Sequence, residues 1–211
     1  MKRKVLLGLP VGLALTGIVG IHSAHALDFD FSGIFAKDND IVQLNFNVGE
    51  TSLVTVFSSS WIAGGFDPIL AIWDSEGQLL YEQDDGHRTG WTSSNGVAYQ
   101  HGSWDSHFEV ELNPGDYIAT IAQYNNFSKT DNLADGFQWD NSPNFTTRYG
   151  NAPYFNSVDG TARTGDWAFH ILNVNQATAI DPNNPVPEPA TMLLFGAGIT
   201  GLAAVSRRKI A

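Results

Sequence analysis

The 211-residue chain contains no cysteine. Disulfides, thiolate nucleophiles and thiolate-held metals are therefore excluded, and an exported domain of this kind must hold together through its core. Basic residues are scarce: eleven Lys and Arg stand against twenty-two Asp and Glu. Six of the eleven lie at the two ends (Lys2, Arg3, Lys4, Arg207, Arg208, Lys209), so the interior sets five against all twenty-two, a formal balance of −17. Such a surface repels phosphate backbones and anionic lipid and attracts divalent cations, so no nucleic-acid partner is expected. Between the ends no stretch carries a helical apolar stripe. Gly-x-Ser-x-Gly, His-Glu-x-x-His and phosphate-cradling loops are missing too. Carboxylates are plentiful enough to leave a glycosidase-like pair open, but none stands out. The chain is expected not to be an enzyme.

Long apolar runs occur only at the ends. Lys2-Arg3-Lys4, the run Val5 to Ile21 and the small residues of Ala24-His25-Ala26 read as a secretory signal peptide, residues 1–26. At the other end Pro187-Glu188-Pro189 precedes an uncharged run, Ala190 to Val205, and then Arg207-Arg208-Lys209. As a helix that run spans roughly 24 Å against a hydrocarbon core of about 30 Å, so it makes a weak permanent anchor. The basic cluster would stay cytoplasmic and leave the preceding chain outside.

In order and spacing, residues 187–211 resemble the PEP-CTERM sorting signal of Gram-negative bacteria. The resemblance implies recognition and removal by an exosortase, with only a transient stage in the inner membrane. It also implies export beside exopolysaccharide, to a biofilm matrix or cell surface. The rival reading is an ordinary C-terminal anchor after a Pro-rich linker.

The mature region, about 160 residues, suits one domain. Residues 27–176 are expected to form it and 177–186 a linker. Period-2 alternation and β-branched or aromatic runs recur between Gly, Asn, Asp and Pro clusters. Strands are expected at Phe29–Phe35, at Ile41–Val48 with a bulge near Leu44, and at Leu53–Phe57. A hairpin is expected over Phe66–Glu82, turning at Asp74-Ser75-Glu76-Gly77. Further strands fall at Phe108–Leu112, Tyr117–Ala122 and Trp167–Val174, with a type II turn at Asn113-Pro114-Gly115-Asp116. Residues 87–106 read as loop. So does 125–163, whose length points to a functional or ligand-ordered insertion. The expected fold class is all-β, a jelly-roll-like antiparallel β-sandwich, flanked by a signal helix and a C-terminal hydrophobic helix.

Asp38-Asn39-Asp40, Phe66-Asp67-Pro68-Ile69-Leu70, Asp84-Asp85-Gly86 and Leu112-Asn113-Pro114-Gly115-Asp116-Tyr117 occur in that order. Together they resemble the bacterial pre-peptidase C-terminal domain over roughly residues 28–174. The resemblance implies a jelly-roll-like sandwich. Because some collagenase-type relatives bind calcium through acidic loops, it also points to Ca²⁺ at Asp38, Asn39, Asp40, Asp67, Asp84 and Asp85. Oxygen-rich loops suit Ca²⁺, although Asp and Asn are equally the ordinary residues of turns.

Loop aromatics Trp91, Tyr99 and Trp104 lie among Ser, Asn and Gly and are the candidate glycan platforms; the competing reading is a hydrophobic cluster that folds loops onto the sandwich. His87, His101 and His107 share a region with Asp105 but lack compact metal spacing, so solvent-facing histidines are expected. His170, alone in an apolar strand, is expected to be a hydrogen-bonded structural residue. The function expected is a secreted structural or adhesive component of the exopolysaccharide matrix. The alternatives are a carbohydrate-binding module or a polysaccharide-processing enzyme.

Overall fold

The computed structural model describes residues 26–86 and 89–180. Residues 1–25 of the signal peptide, His87, most of the linker and the sorting tail lie outside the described residues, and with them both expected flanking helices. Eleven strands are seen within them: β1 Leu27–Ile34, β2 Val42–Val48, β3 Ser52–Ser58, β4 Pro68–Asp74, β5 Leu79–Gln83, β6 Gly90–Ser94, β7 Val97–His101, β8 His107–Leu112, β9 Gly115–Gln123, β10 Asp166–Val174 and β11 Gln176–Ile180. They form a four-stranded sheet, β1-β10-β3-β8, and a five-stranded sheet, β11-β2-β9-β4-β5. All their pairings are antiparallel. The two sheets face each other as a β-sandwich.

Alternation builds the core. Val42, Leu44, Phe46 and Val48 of β2 are buried, and so are Val54 and Val56 of β3 and Phe169 and Ile171 of β10. Each such side chain contributes about 1.5–3 kcal/mol over its exposed state, which a chain without disulfides needs. Ile41 stands outside this alternation because it precedes the strand. It packs with Ala71, Trp73 and Phe137 on the outer face of the five-stranded sheet, and the β2–β9 register runs without a bulge at Leu44.

Three connections differ from the sequence expectation. Residues 90–101 form a hairpin, β6–β7, not a loop. Asn95 (φ 48°) and Gly96 (φ 78°) supply the two left-handed positions of a tight turn. The Asn95 amide donates to Asp28 O and Asp30 Oδ2 and ties the hairpin to β1. The Asn113-Pro114 turn is an arch between sheets, since β8 pairs with β3 while β9 pairs with β2 and β4. Gly115 lies outside the positive-φ glycines, as a type II turn would not allow. Finally, the sandwich runs past residue 176: β11 pairs with β2 through Ile180.

The segment 125–163 has no strand of its own, only 3-10 turns at Leu133–Asp135 and Phe145–Arg148. Its first half drapes Leu133 and Phe137 over Ala71 and Trp73. Its second half sends Phe155 into the core, stacked on Phe66.

Candidate functional site

One end of the five-stranded sheet gathers carboxylates. Asp67 precedes β4, and Asp84 and Asp85 follow β5. Because Leu70 pairs with Gln83, the antiparallel register sets the entrance of β4 beside the exit of β5. On the other flank β9 ends beside Asp67, whose carbonyl accepts from Tyr124 N at 2.7 Å. Ser106 Oγ stitches the end together, sharing its proton among the carbonyls of Pro68, Gln83 and Asp84 at 2.6–3.0 Å.

Asp67 is the anomaly. The residue is 2 % exposed, and Oδ1 has no hydrogen-bond partner among the described residues. Burial, then Asp85, Asp84 and Asp105, push its carboxyl up to about 8, with Arg163 opposing. At neutral pH this carboxylate must hold either a proton or a cation, since an unpartnered buried anion is costly. A second buried oxygen without a partner among the described residues, Gln123 Oε1, lies on the residue paired with Pro68.

The Asp38–Asp40 corner does other work. The Asp38 carboxylate accepts from Asn144 N, Thr146 N and Thr146 Oγ1 at 2.5–2.9 Å. Asp40 caps Ala36 N and Lys37 N, and Asn39 Nδ2 donates to the carbonyls of Trp139 and Asp140. The corner therefore pins the long segment to the sandwich, and the six expected calcium ligands do not form one cage. Among the described residues, no three His or acidic side chains stand together ready for an ion. A cation at Asp67 would need Asp84 or Asp85 and oxygens of other kinds, and the Gln123 amide is of the right chemistry.

Of the expected glycan platforms, Trp91 alone presents a free face, at 66 % exposure. Tyr99 lies on the His170 ring at 4.1 Å. Trp104 is stacked on Trp61 at 5.2 Å, and Trp61 in turn carries the Arg163 guanidinium at 3.8 Å. In the long segment Trp139 stacks on Phe145, and the Arg148 guanidinium lies 3.8 Å from the Trp139 ring. These rings fold loops onto the body.

The β6–β7 hairpin covers an arrangement that sequence order does not show. His170 Nδ1 lies 2.7 Å from Asp30 Oδ1, and its Nε2 lies 3.0 Å from Ser59 Oγ. That is the bonding order of a serine hydrolase. The donors an oxyanion would need are spent, however. Ser59 N donates to Ala168 O, Ser60 N to Ser58 Oγ and Trp61 N to Asp105 Oδ1. The imidazole, 2 % exposed between Phe57 and Tyr99, is held neutral by burial, which outweighs Asp30. His170 is hydrogen-bonded at both nitrogens, as expected of it.

His101 and His107 are not loop histidines facing solvent. They end β7 and begin β8 beneath the hairpin, and His101 is buried. Burial first, then His101, lowers the pKa of His107. Alternation misses the pair because its strands face the outside of a sheet, not the core.

Residues 185–209 match the family described as PEP-CTERM protein-sorting motif. A search of curated proteins finds no match to the chain. The sorting motif marks the chain as an exosortase substrate and an extracellular or cell-surface protein.

Proposed function

We propose that the sandwich is a structural or adhesive component of the exopolysaccharide matrix, without enzymatic activity, and that it completes its fold outside the cell by binding one Ca²⁺ at Asp67. The observation that carries the calcium reading is the buried Asp67 carboxylate with an oxygen that no group among the described residues satisfies, beside Asp84 and Asp85. A proton answers that need only up to about pH 8. A divalent cation answers it at neutral pH and joins three neighbouring strands. Delivery to the matrix rests on the sorting motif. The resemblance to pre-peptidase C-terminal domains agrees with the sandwich but carries none of this argument.

Millimolar CaCl₂ is expected to raise the melting temperature of the chelator-stripped protein at pH 7.5 by several degrees, by mass action on the folded state. MgCl₂ should do so far less, because Mg²⁺ demands near-ideal octahedral geometry and sheds its own waters reluctantly. Equal melting curves with and without calcium would end the calcium reading. Recovery of full-length protein from the inner membrane, and none from the matrix, would end the matrix reading.

The carbohydrate-binding alternative is favoured by one observation. Trp91 is exposed on the rim of a polar cavity with Thr55, Thr92, His101, His107 and Glu109. Binding to neutral glycans on an array should be lost in Trp91→Ala and kept in Trp104→Ala. Equal loss in both variants would show that the loss comes from the fold.

A further inference from the structure

We propose that His101 and His107 form the nitrogen half of a binding site for a borderline divalent cation of the zinc, cobalt or nickel class, on the outer face of the four-stranded sheet. The two rings lie 4.6 Å apart between centroids. Their Nε2 atoms converge on one atom, Thr92 Oγ1, at 3.3 and 3.2 Å. A hydroxyl can donate to one imidazole and accept from the other, so Thr92 holds both ring nitrogens directed at one point. A cation that draws each nitrogen to about 2.0–2.1 Å would take that point once Thr92 turns away.

A carboxylate is within the same cavity. Glu109 follows His107 by two residues on β8, which places both on one face of the strand. Glu109, both histidines and Trp91 line one cavity of about 390 Å³. Glu109 is exposed and so is free to swing toward the pair; water would complete the coordination. Imidazole nitrogens select this class of cation over Ca²⁺, which takes oxygen cages. The donors are different residues from those around Asp67, so either site can fail without the other.

The test is calorimetric titration of the chelator-stripped secreted protein with ZnCl₂ in a background of millimolar CaCl₂, with CoCl₂ as an optical probe. One zinc per chain is expected, together with a cobalt spectrum showing nitrogen ligation and a change in Trp91 fluorescence. His101→Gln and His107→Gln should each weaken binding at least about tenfold. Asp67→Asn should bind zinc as the parent protein does while losing its response to calcium. Absence of zinc binding by the parent protein would overturn the proposal. So would a folded His101→Gln variant that binds zinc unchanged, or a cobalt spectrum without nitrogen ligation, which does not depend on any variant folding.

Discussion

In chelator, the folded protein is expected to lose stability as pH rises from about 4 to about 8, the reverse of ordinary acid denaturation. The sign follows from Asp67. Its carboxyl is held up at about 8 in the folded state, against 3.8 ordinarily. Between those values the folded chain keeps a proton that the unfolded chain has released. The proton's contribution is complete below pH 3.8 and is lost as pH climbs through 8. Its ceiling, from a four-unit shift, is about 5 kcal/mol. The groups around Asp67 set this value: burial dominates, Asp85, Asp84 and Asp105 add to it, and Arg163 subtracts. Asp67→Asn should flatten the slope and leave the variant more stable than the parent protein at pH 8 in chelator. Calcium should abolish the slope in the parent and do nothing to Asp67→Asn. Denaturant melts at pH 5, 6.5 and 8, with and without calcium, give all three comparisons. A parent slope that survives the Asn substitution would mean that another carboxylate carries the effect.

Legibility tracked burial of apolar faces. Strand β2 could be read because Val42, Leu44, Phe46 and Val48 alternate toward the core, and β4–β5 because Asp74 and Gly77 punctuate two apolar runs. The β6–β7 hairpin was hidden because its inward side chains, Thr92, Tyr99 and His101, pack on the polar outer face of a sheet. Only Asn95-Gly96 announced it, a tight-turn signal between two stretches without apolar alternation. Strand β11 was hidden by Ala177 and Ala179, whose small side chains give little periodicity. The arch at Asn113-Pro114 shows a different limit: a turn motif fixes a reversal but not the sheet the chain rejoins. Asp38 and Asp67 make the same point for the site. Both are acidic loop residues in one chain, yet three donors of the long segment saturate Asp38 while Asp67 Oδ1 has none among the described residues. What fills a carboxylate is decided by residues a hundred positions away.

Asp105→Ala is expected to destabilise the sandwich by about 3–5 kcal/mol, the largest effect of any single polar substitution proposed for this protein. Asp105 is fully buried, and its carboxylate accepts from Trp61 N, Ile62 N, Gly102 N and Ser58 Oγ at 2.8–3.2 Å. Burial still pushes its pKa up, because those donors offset desolvation only in part. Truncation strands three backbone N–H groups inside the protein and leaves a void where the carboxylate stood. The consequences spread in two directions. Trp61 loses its anchor, and with it the platform on which Trp104 and Arg163 stack. Asp105 O also accepts from Gly86 N, so the exit of β5 beside Asp67 loosens as well. Asp105→Asn keeps the volume and one acceptor oxygen but aims an amide at backbone donors, and it should recover less than half of the loss. Urea unfolding of both variants, followed by tryptophan fluorescence, reads the ranking directly. The calcium response should fall in Asp105→Ala although Asp105 is no ligand, because the strands that carry the ligands are no longer held at one spacing. A variant within about 1 kcal/mol of the parent would mean that water replaces the carboxylate, and that the end of the sheet does not depend on this buried charge.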